Sequence, residues 1–566
     1  MTPGADLHVA TGAQGASSSS VSSSSSSSLS SASSAPSALP SFSTQPARDS
    51  SPPSSERKQS EHPNPQPDRS KFSQVPAEES SADKFCRFEQ WLLDNGGKFP
   101  KLELRDYGDE VRGCHVRDGH SIGEEEIIIE IPLRCLITVE MGKDTDIGRA
   151  ILQSNIELDA PKHIFLMVFM LLDRHNPKSF FKPYYDILPP TLNNMPIFWT
   201  PAELNYLQGS YVLTQIHERN AAVEADYAAI CRIAPEMAQI ASLEEFKWAR
   251  MCACSRNFGL IVNGLRTAAL VPYADMLNHY RPRETKWQFD DALQGFTITS
   301  LQHIGMGAQV YDSYGQKCNH RFLLNYGFSV EQNVEPDGFC PNEVPILLQL
   351  RRSDPLYDHK CSYWRREGSL PVKRIRVCVG ENDNSRLLFA LLRIIDADQM
   401  DLDALLRATG GVGTFPGSSS GGFGGSGSIN SYRTIRDAQT AISVRNELKA
   451  MALLLATCDE HLSKYPTLYQ DDVEAISTGR FPPFSNQMHA CIQVRGEKEV
   501  LLFYKDFAKT ALDVLVIEDP QIFHDTLEGI RINKHSIVYQ YVRNTVLRLR
   551  QEEEAAGLSP VRRAIV

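Results

Sequence analysis

Two low-complexity tracts decide where this chain can build a core. Residues 1 to about 82 are dominated by serine, with unbroken runs at Ser17–Ser20 and Ser22–Ser28, followed by proline, glutamine and charged residues. Such a segment cannot bury enough apolar surface to offset the entropy of ordering it, so it reads as a disordered tail. A second tract, residues 410–428, is rich in glycine and serine and reads as a flexible surface loop. No strand pattern leads into its glycines and no Lys-Ser/Thr follows them, so it is not a phosphate loop. The packed part of the chain must therefore start near Asp83 and run around that loop.

Composition narrows the class. The 566 residues are 42% hydrophobic and 9% aromatic, enough for sizeable cores. The net charge of -11 argues against non-specific nucleic-acid binding, which draws on excess Lys and Arg, but leaves a basic protein substrate open. The longest apolar run, Ile164 to Leu172, is far short of the ~20 residues that span a bilayer, and no apolar signal core follows Met1. A cytoplasmic or nuclear location is expected. A plastid is the alternative, because a Ser-rich, acid-poor leader resembles a transit peptide, although arginine is absent before Arg48. The 12 cysteines contain no CxxC pair, and Cys252 and Cys254 point apart on a helix, so buried thiols are expected and no metal set.

The periodicities predict a β-rich part with inserted helices, then a helical part. Phe85, Phe88, Trp91 and Leu92 have helical spacing, with Asp83 as N-cap and Asn95-Gly96-Gly97 as the stop. Strand character follows at Val111–Val116, Glu126–Ile131 and Leu136–Val139, and returns at Ala269–Val271, Gly295–Ser300 and Gln309–Tyr311. A helix is expected from about Pro161 to Asp173, and 201–255 reads as mainly helical. Helical patterns dominate from about 384 to the end.

Three clusters carry chemistry. In Arg112-Gly113-Cys114-His115-Val116, the glycine permits a close backbone approach. In Val271-Pro272-Tyr273-Ala274-Asp275-Met276-Leu277-Asn278-His279, the polar residues can read a polar ligand; taken alone, the segment is equally a turn with an Asx cap. In Tyr311-Asp312-Ser313-Tyr314-Gly315, followed by Asn325-Tyr326-Gly327-Phe328, a phenol at a strand end can project into a pocket or simply belong to the core.

Together, and in this order, the motifs resemble the SET-domain protein methyltransferases of the Rubisco large-subunit methyltransferase-like class. The resemblance runs through RGCHV, IEIP, SFFKPYYDILPP, MPIFWTPAELNYLQG, SRNFGL, VPYADMLNH and YGQKCNHRFLLNYGF, with a weaker echo at NQMHACIQVRGEKEVL. It implies an α+β chain: a knot-like SET domain at 83–330 with a helical insert at about 155–255, then an all-α substrate-binding domain at 331–566. It also implies transfer of a methyl group from S-adenosylmethionine (SAM) to a side chain of a protein substrate.

On that resemblance Tyr314 is the catalytic phenol. Glu110, Val111, Arg112, Arg256, Asp275, Met276, Leu277, Asn278, His279, Gly327 and Phe328 are expected at the cofactor, and Phe258, Tyr314 and Tyr326 at the substrate. An actin-histidine branch of the class has Asn and Trp where this chain has Phe258 and Ala274. A hydrophobic wall suits an alkyl amine better than an imidazole, which favours lysine as acceptor. Histidine transfer and a non-catalytic adaptor are the alternatives. No direct nucleic-acid or membrane partner is expected.

Overall fold

The helix Ser81–Asp94 forms because Phe88 and Leu92 share one face and are both fully buried. Its N-cap is Ser80 rather than Asp83: the Ser80 hydroxyl accepts the Asp83 N–H at 3.2 Å, and Asp83 sits in the first turn, where a carboxylate suits the helix dipole. The computed structural model describes residues 80–108, 111–364, 372–408, 438–532 and 536–557. These fall in one compact unit. The serine-rich tail up to residue 79, the Gly/Ser tract and Glu110 lie outside the described residues.

Four small sheets organise the described residues. Strands β1 (Leu102–Gly108), β2 (Val111–Val116), β3 (Ile127–Pro132) and β4 (Ile137–Thr138) come first. After a helical stretch come β5 (Asn257–Val262), β6 (Leu265–Leu270), β7 (Asn278–His279), β8 (Thr285–Asp290), β9 (Gly295–Ser300) and β10 (Gln309–Asp312). A hairpin of β11 (Glu343–Gln349) and β12 (Val372–Cys378) follows. The sheet orders are β1-β2-β10-β7, β3-β9-β8, β4-β6-β5 and β11-β12. One pairing is parallel, β7 with β10, setting Asn278 beside Tyr311 and His279 beside Asp312. The others are antiparallel.

Several elements differ from the sequence expectation. The strand expected at Leu136–Val139 shrinks to two residues, because Thr138 caps a helix that begins at Val139. The two-residue β7 is too short to show a period. The C-terminal part is helical but opens with the β11–β12 hairpin, whose alternation of buried Val344, Ile346 and Leu348 is that of a strand covered on one face.

Between β4 and β5 the helices Pro161–Arg174, Tyr211–Ile233 and Leu243–Arg256 dominate. The longest of them serves two cores. Val223 and Ile230 join a core with Phe88, Ile129 and Val310, whereas Val212 and Ile216 join one with Ile346, Leu391 and Leu501. Among the described residues no helix is long and apolar enough to cross a membrane.

The junction between the inserted helices and the long helix Asn486–Leu515 is polar and buried. Glu497, 1% exposed, accepts from the Ser210 hydroxyl, the Tyr465 hydroxyl and Gln493 Nε2, each at 2.6 Å. Gly209 makes the close approach possible: it has a φ of +87°, and a Cβ there would lie 2.6 Å from the Lys464 carbonyl oxygen.

Burial outweighs those three hydrogen bonds and pushes the Glu497 carboxyl up to about 7. The folded chain then binds more protons than the unfolded chain between the ordinary value of ~4.3 and that one. The Glu497 contribution is therefore greatest below pH ~4.3 and falls as pH rises toward about 7, by on the order of 3 kcal/mol. Glu497→Gln, which cannot ionise, should flatten the pH dependence of the unfolding midpoint between pH 5 and 8. Parallel wild-type and variant curves in a melting series would contradict this.

Candidate active site

The site is assembled around β7 and β10. Parallel pairing places the end of β10 over the end of β7, so the chain leaving Asp312 carries Tyr314 directly onto His279. The Tyr314 N–H donates to His279 Nδ1 at 3.1 Å, and the rings lie 5.2 Å apart, stacked. Burial pushes His279 down to about 4. The ring is therefore neutral at physiological pH, with Nδ1 as acceptor and the proton on Nε2.

The Tyr314 hydroxyl donates to the Leu277 carbonyl at 2.9 Å. Burial pushes this phenol above its ordinary value, so it remains a donor at neutral pH rather than a phenolate. Its ring stacks on Tyr326 at 4.7 Å and lies 6.3 Å from Phe328. Lys317 donates to the Tyr314 carbonyl and holds its ammonium 5.9 Å from the Tyr326 ring. The outcome is a phenol of fixed direction in a mostly aromatic wall.

Asn278 ties this half to the first strands by donating Nδ2–H to the Arg112 carbonyl at 2.9 Å. Segments around 112, 278 and 314 thus meet, although they are far apart in sequence. Beneath them lies a buried polar group. Asp275, whose side chain is wholly buried, pairs with Arg256 Nη1 at 3.1 Å and accepts the Tyr184 hydroxyl at 2.8 Å. Arg256 also donates to the Asp275 carbonyl at 3.2 Å. Arg112 donates to the Ile187 carbonyl and has no carboxylate in ion-pair range among the described residues. Burial, reinforced by nearby Arg256, lowers Arg112 to about 10.

Asp275 therefore pairs with Arg256 alone, and the second guanidinium, Arg112, stands nearby without an ion-pair partner among the described residues. Arg256 Nε and Asp275 Oδ1 are both buried without a hydrogen-bond partner. The loop that supplies Asp275 turns at Tyr273, a non-glycine residue with a φ of +75°. Stacking on Phe99 at 4.0 Å and a hydroxyl donated to Glu89 at 3.2 Å hold that strained turn.

Of the residues expected at the site, Asp275, Met276 and Leu277 lie on or just after the turn Ala274–Met276, and Asn278 and His279 form β7. Arg112 lies in β2, and Val111 is its first residue, paired with Gly108. Gly327 is the left-handed cap of the helix Asn319–Tyr326, and a Cβ there would meet Asn194 Nδ2 at 2.3 Å. Phe328 lies in the Tyr314 ring cluster.

Phe258 is not brought into that cluster. Its ring packs on Trp287 at 5.4 Å and Phe296 at 4.9 Å, because β5 faces β8 and β9 there. Tyr184, Lys317 and Phe322 were not expected as site residues. Tyr184 stands inside the PYYD motif, but nothing local tells which of its two tyrosines reaches Asp275.

With this geometry in view, the comparisons with known proteins are informative. Residues 351–501 match the family described as Rubisco LSMT substrate-binding. The chain superposes on the SET domain of LSMT bound to lysine and AdoHcy with a TM-score of 0.61 and 20% identity, covering 82% of this chain and 100% of that one. Rubisco LSMT bound to AdoMet gives 0.59 and 21%, covering 76% and 93%.

The chain therefore has the fold of these LSMT structures. Among curated proteins it is similar to the actin-histidine N-methyltransferase of Xenopus tropicalis, 26% identical over 431 residues, which are 74% of this chain and 69% of that protein. The Homo sapiens protein of that name is 25% identical over 431 residues, 74% of this chain and 67% of that one.

Removing Asp275 leaves the largely buried Arg256 guanidinium without its counter-charge. Asp275→Ala should cost roughly 3–5 kcal/mol of stability, whereas Tyr184→Phe, which keeps the ion pair, should cost ~1 kcal/mol. Urea unfolding measures both, and equal losses would refute the ranking.

Proposed function

We propose that this SET-like methyltransferase transfers the methyl group of SAM to the side-chain amine of a lysine in a protein substrate. The observation that carries the proposal is the fixed phenol of Tyr314, anchored to Leu277 inside an aromatic wall and directly above the Asn278-His279 pair. A lysine amine reacts only when neutral, and its ordinary pKa of ~10.4 is against it. A mostly apolar wall disfavours the ammonium by desolvation. The Tyr314 hydroxyl donates to Leu277 and keeps lone pairs free, so it can accept an amine N–H and orient the nitrogen lone pair. Held in this way, the nitrogen attacks without a large orientational cost.

The cofactor reading rests on the polar group around Asp275. The methionine end of SAM carries one carboxylate and one ammonium. Arg112 and Arg256 against Asp275 leave one positive charge over, and Arg256 Nε and Asp275 Oδ1 carry unmet hydrogen-bonding capacity of opposite kinds. SAM supplies the electrophilic methyl group when bound. The chain's part is to hold its charged end and to aim the acceptor.

Lysine is preferred over histidine on the mostly aromatic wall that Tyr326 and Phe328 form beside Tyr314, which suits an alkyl amine chain; Phe258, packed on Trp287 and Phe296, takes no part in it. The region matching the substrate-binding family supports a protein substrate. The similarity to actin-histidine N-methyltransferases favours the second reading, histidine as acceptor.

Labelled SAM with cell extract, followed by mass spectrometry of the labelled protein, separates the two. Methyl-lysine is expected, and methyl-histidine would reverse the acceptor. Tyr314→Phe should lower transfer ~100-fold or more while calorimetric SAM affinity stays within a few-fold. Full transfer by the variant would remove Tyr314 from the chemistry, and SAM binding without transfer by the wild type would leave the adaptor reading.

A further inference from the structure

The chain that leaves Tyr314 runs into a cleft of about 380 Å³, within the size range of ligand-binding clefts. Gly315, at a φ of +88°, lets the backbone turn there, and Lys317 and Arg321 follow on the cleft wall. Lys317 faces both spaces. It lines the cleft, donates to the Tyr314 carbonyl and holds its ammonium 5.9 Å from the Tyr326 ring. Three residues of chain span at most ~10–11 Å, so the Lys317 backbone lies within that distance of the Tyr314 backbone.

Charge in the cleft does not balance. Both carboxylates on its wall are taken: Glu343 pairs with Arg376 at 3.3 Å, and Asp383 pairs with Arg386 at 3.2 Å. Lys317 and Arg321 have no carboxylate in ion-pair range among the described residues. Two positive charges are therefore left over. Arg321 is exposed, in the first turn of the helix Asn319–Tyr326. Burial lowers the pKa of Lys317, and the charge of Arg321 adds to that effect, so the two cations repel one another. A carboxylate set between them relieves the repulsion and meets donors that both side chains have to spare.

We propose that this cleft binds an acidic side chain of the protein substrate, an Asp or Glu about two to four residues from the methyl acceptor, through Arg321 and Lys317. The proposal rests on Tyr314 marking the acceptor end of the site, and it holds for lysine or histidine as acceptor. An extended substrate advances ~3.3–3.6 Å per residue, so a side chain at that spacing stands ~7–14 Å along the chain from the acceptor, which carries it from the Tyr314 wall into the cleft. The whole chain has a net charge of -11 and repels acidic peptides at long range, so affinity for one must come from a local surplus of this kind. Arg321 touches no reacting atom; its part is to select which proteins present their acceptor to Tyr314.

The test is a binding measurement on the full chain that needs no turnover. Three fluorescein-labelled peptides share a central lysine and differ only at the flanking positions, which carry glutamate, glutamine or arginine. Fluorescence anisotropy should show the glutamate peptide bound about fivefold or more tightly than the glutamine peptide, with the arginine peptide weakest. That advantage should shrink as salt rises from about 50 to about 500 mM. Arg321→Gln should reduce the preference, and Arg321→Glu should abolish or invert it. Lys509→Glu, an equal change of charge at an exposed position outside the cleft, should leave it intact. Tyr314→Phe should also keep the preference while transfer falls, which separates the cleft from the role of the phenol. Equal affinity for the three peptides, or a preference that survives Arg321→Glu, overturns the cleft assignment, whereas absence of methyl transfer counts against the proposed function alone.

Discussion

The site depends on a two-residue parallel ladder. β7 and β10 are joined by a chain that runs out through β8 and β9 and returns, so their pairing cannot be a local turn. So short a ladder would not stand alone. Tyr280 N–H donates to the Asp312 carbonyl at 3.0 Å, the Thr285 hydroxyl donates to the Tyr311 carbonyl at 2.9 Å, and β2 flanks β10 on its other side. This pairing brings Tyr314 onto His279 and lets Asn278 reach the Arg112 carbonyl. Without it the β7 segment would lose its register against β10 and Tyr314.

Beneath the ladder, charge is arranged at some cost. Burying Arg256 and Asp275 removes both from water, and such a pair gains little net stability over an apolar one. The fold keeps it together with a strained backbone at Tyr273 and with Arg112 left uncompensated nearby. Strain and residual charge gathered at one place fit a binding site better than a structural core, and this supports the proposal that the cofactor's charged end binds there.

The helices do more than cover the sheets. The helix Tyr211–Ile233 contributes to both hydrophobic cores, Ser210 reaches Glu497 just before it, and Tyr211 reaches His320. Asn486 Nδ2 donates to the Asn193 carbonyl at 3.0 Å, and His489 Nδ1 accepts the Ser329 N–H at 3.1 Å. The helical region that resembles a substrate-binding domain is thereby tied to the segment just after Phe328.

Much of this was legible in the chain. The ordered motifs pointed to the SET fold, periodicity marked the helices Ser81–Asp94 and Pro161–Arg174, and VPYADMLNH and YGQKCNH contained the residues that converge. Those features are local, set by side-chain type at fixed spacing. Tertiary structure alone decided that Arg256 spends its charge on Asp275, that Tyr184 rather than Tyr185 reaches that carboxylate, that Phe258 turns to Trp287 and away from Tyr314, and that Cys318 and His320 meet Glu343. Each of these is a contact between residues distant in the chain. Sequence fixes which groups exist and where the backbone bends, but pairing over long loops is settled by how the sheets and helices pack.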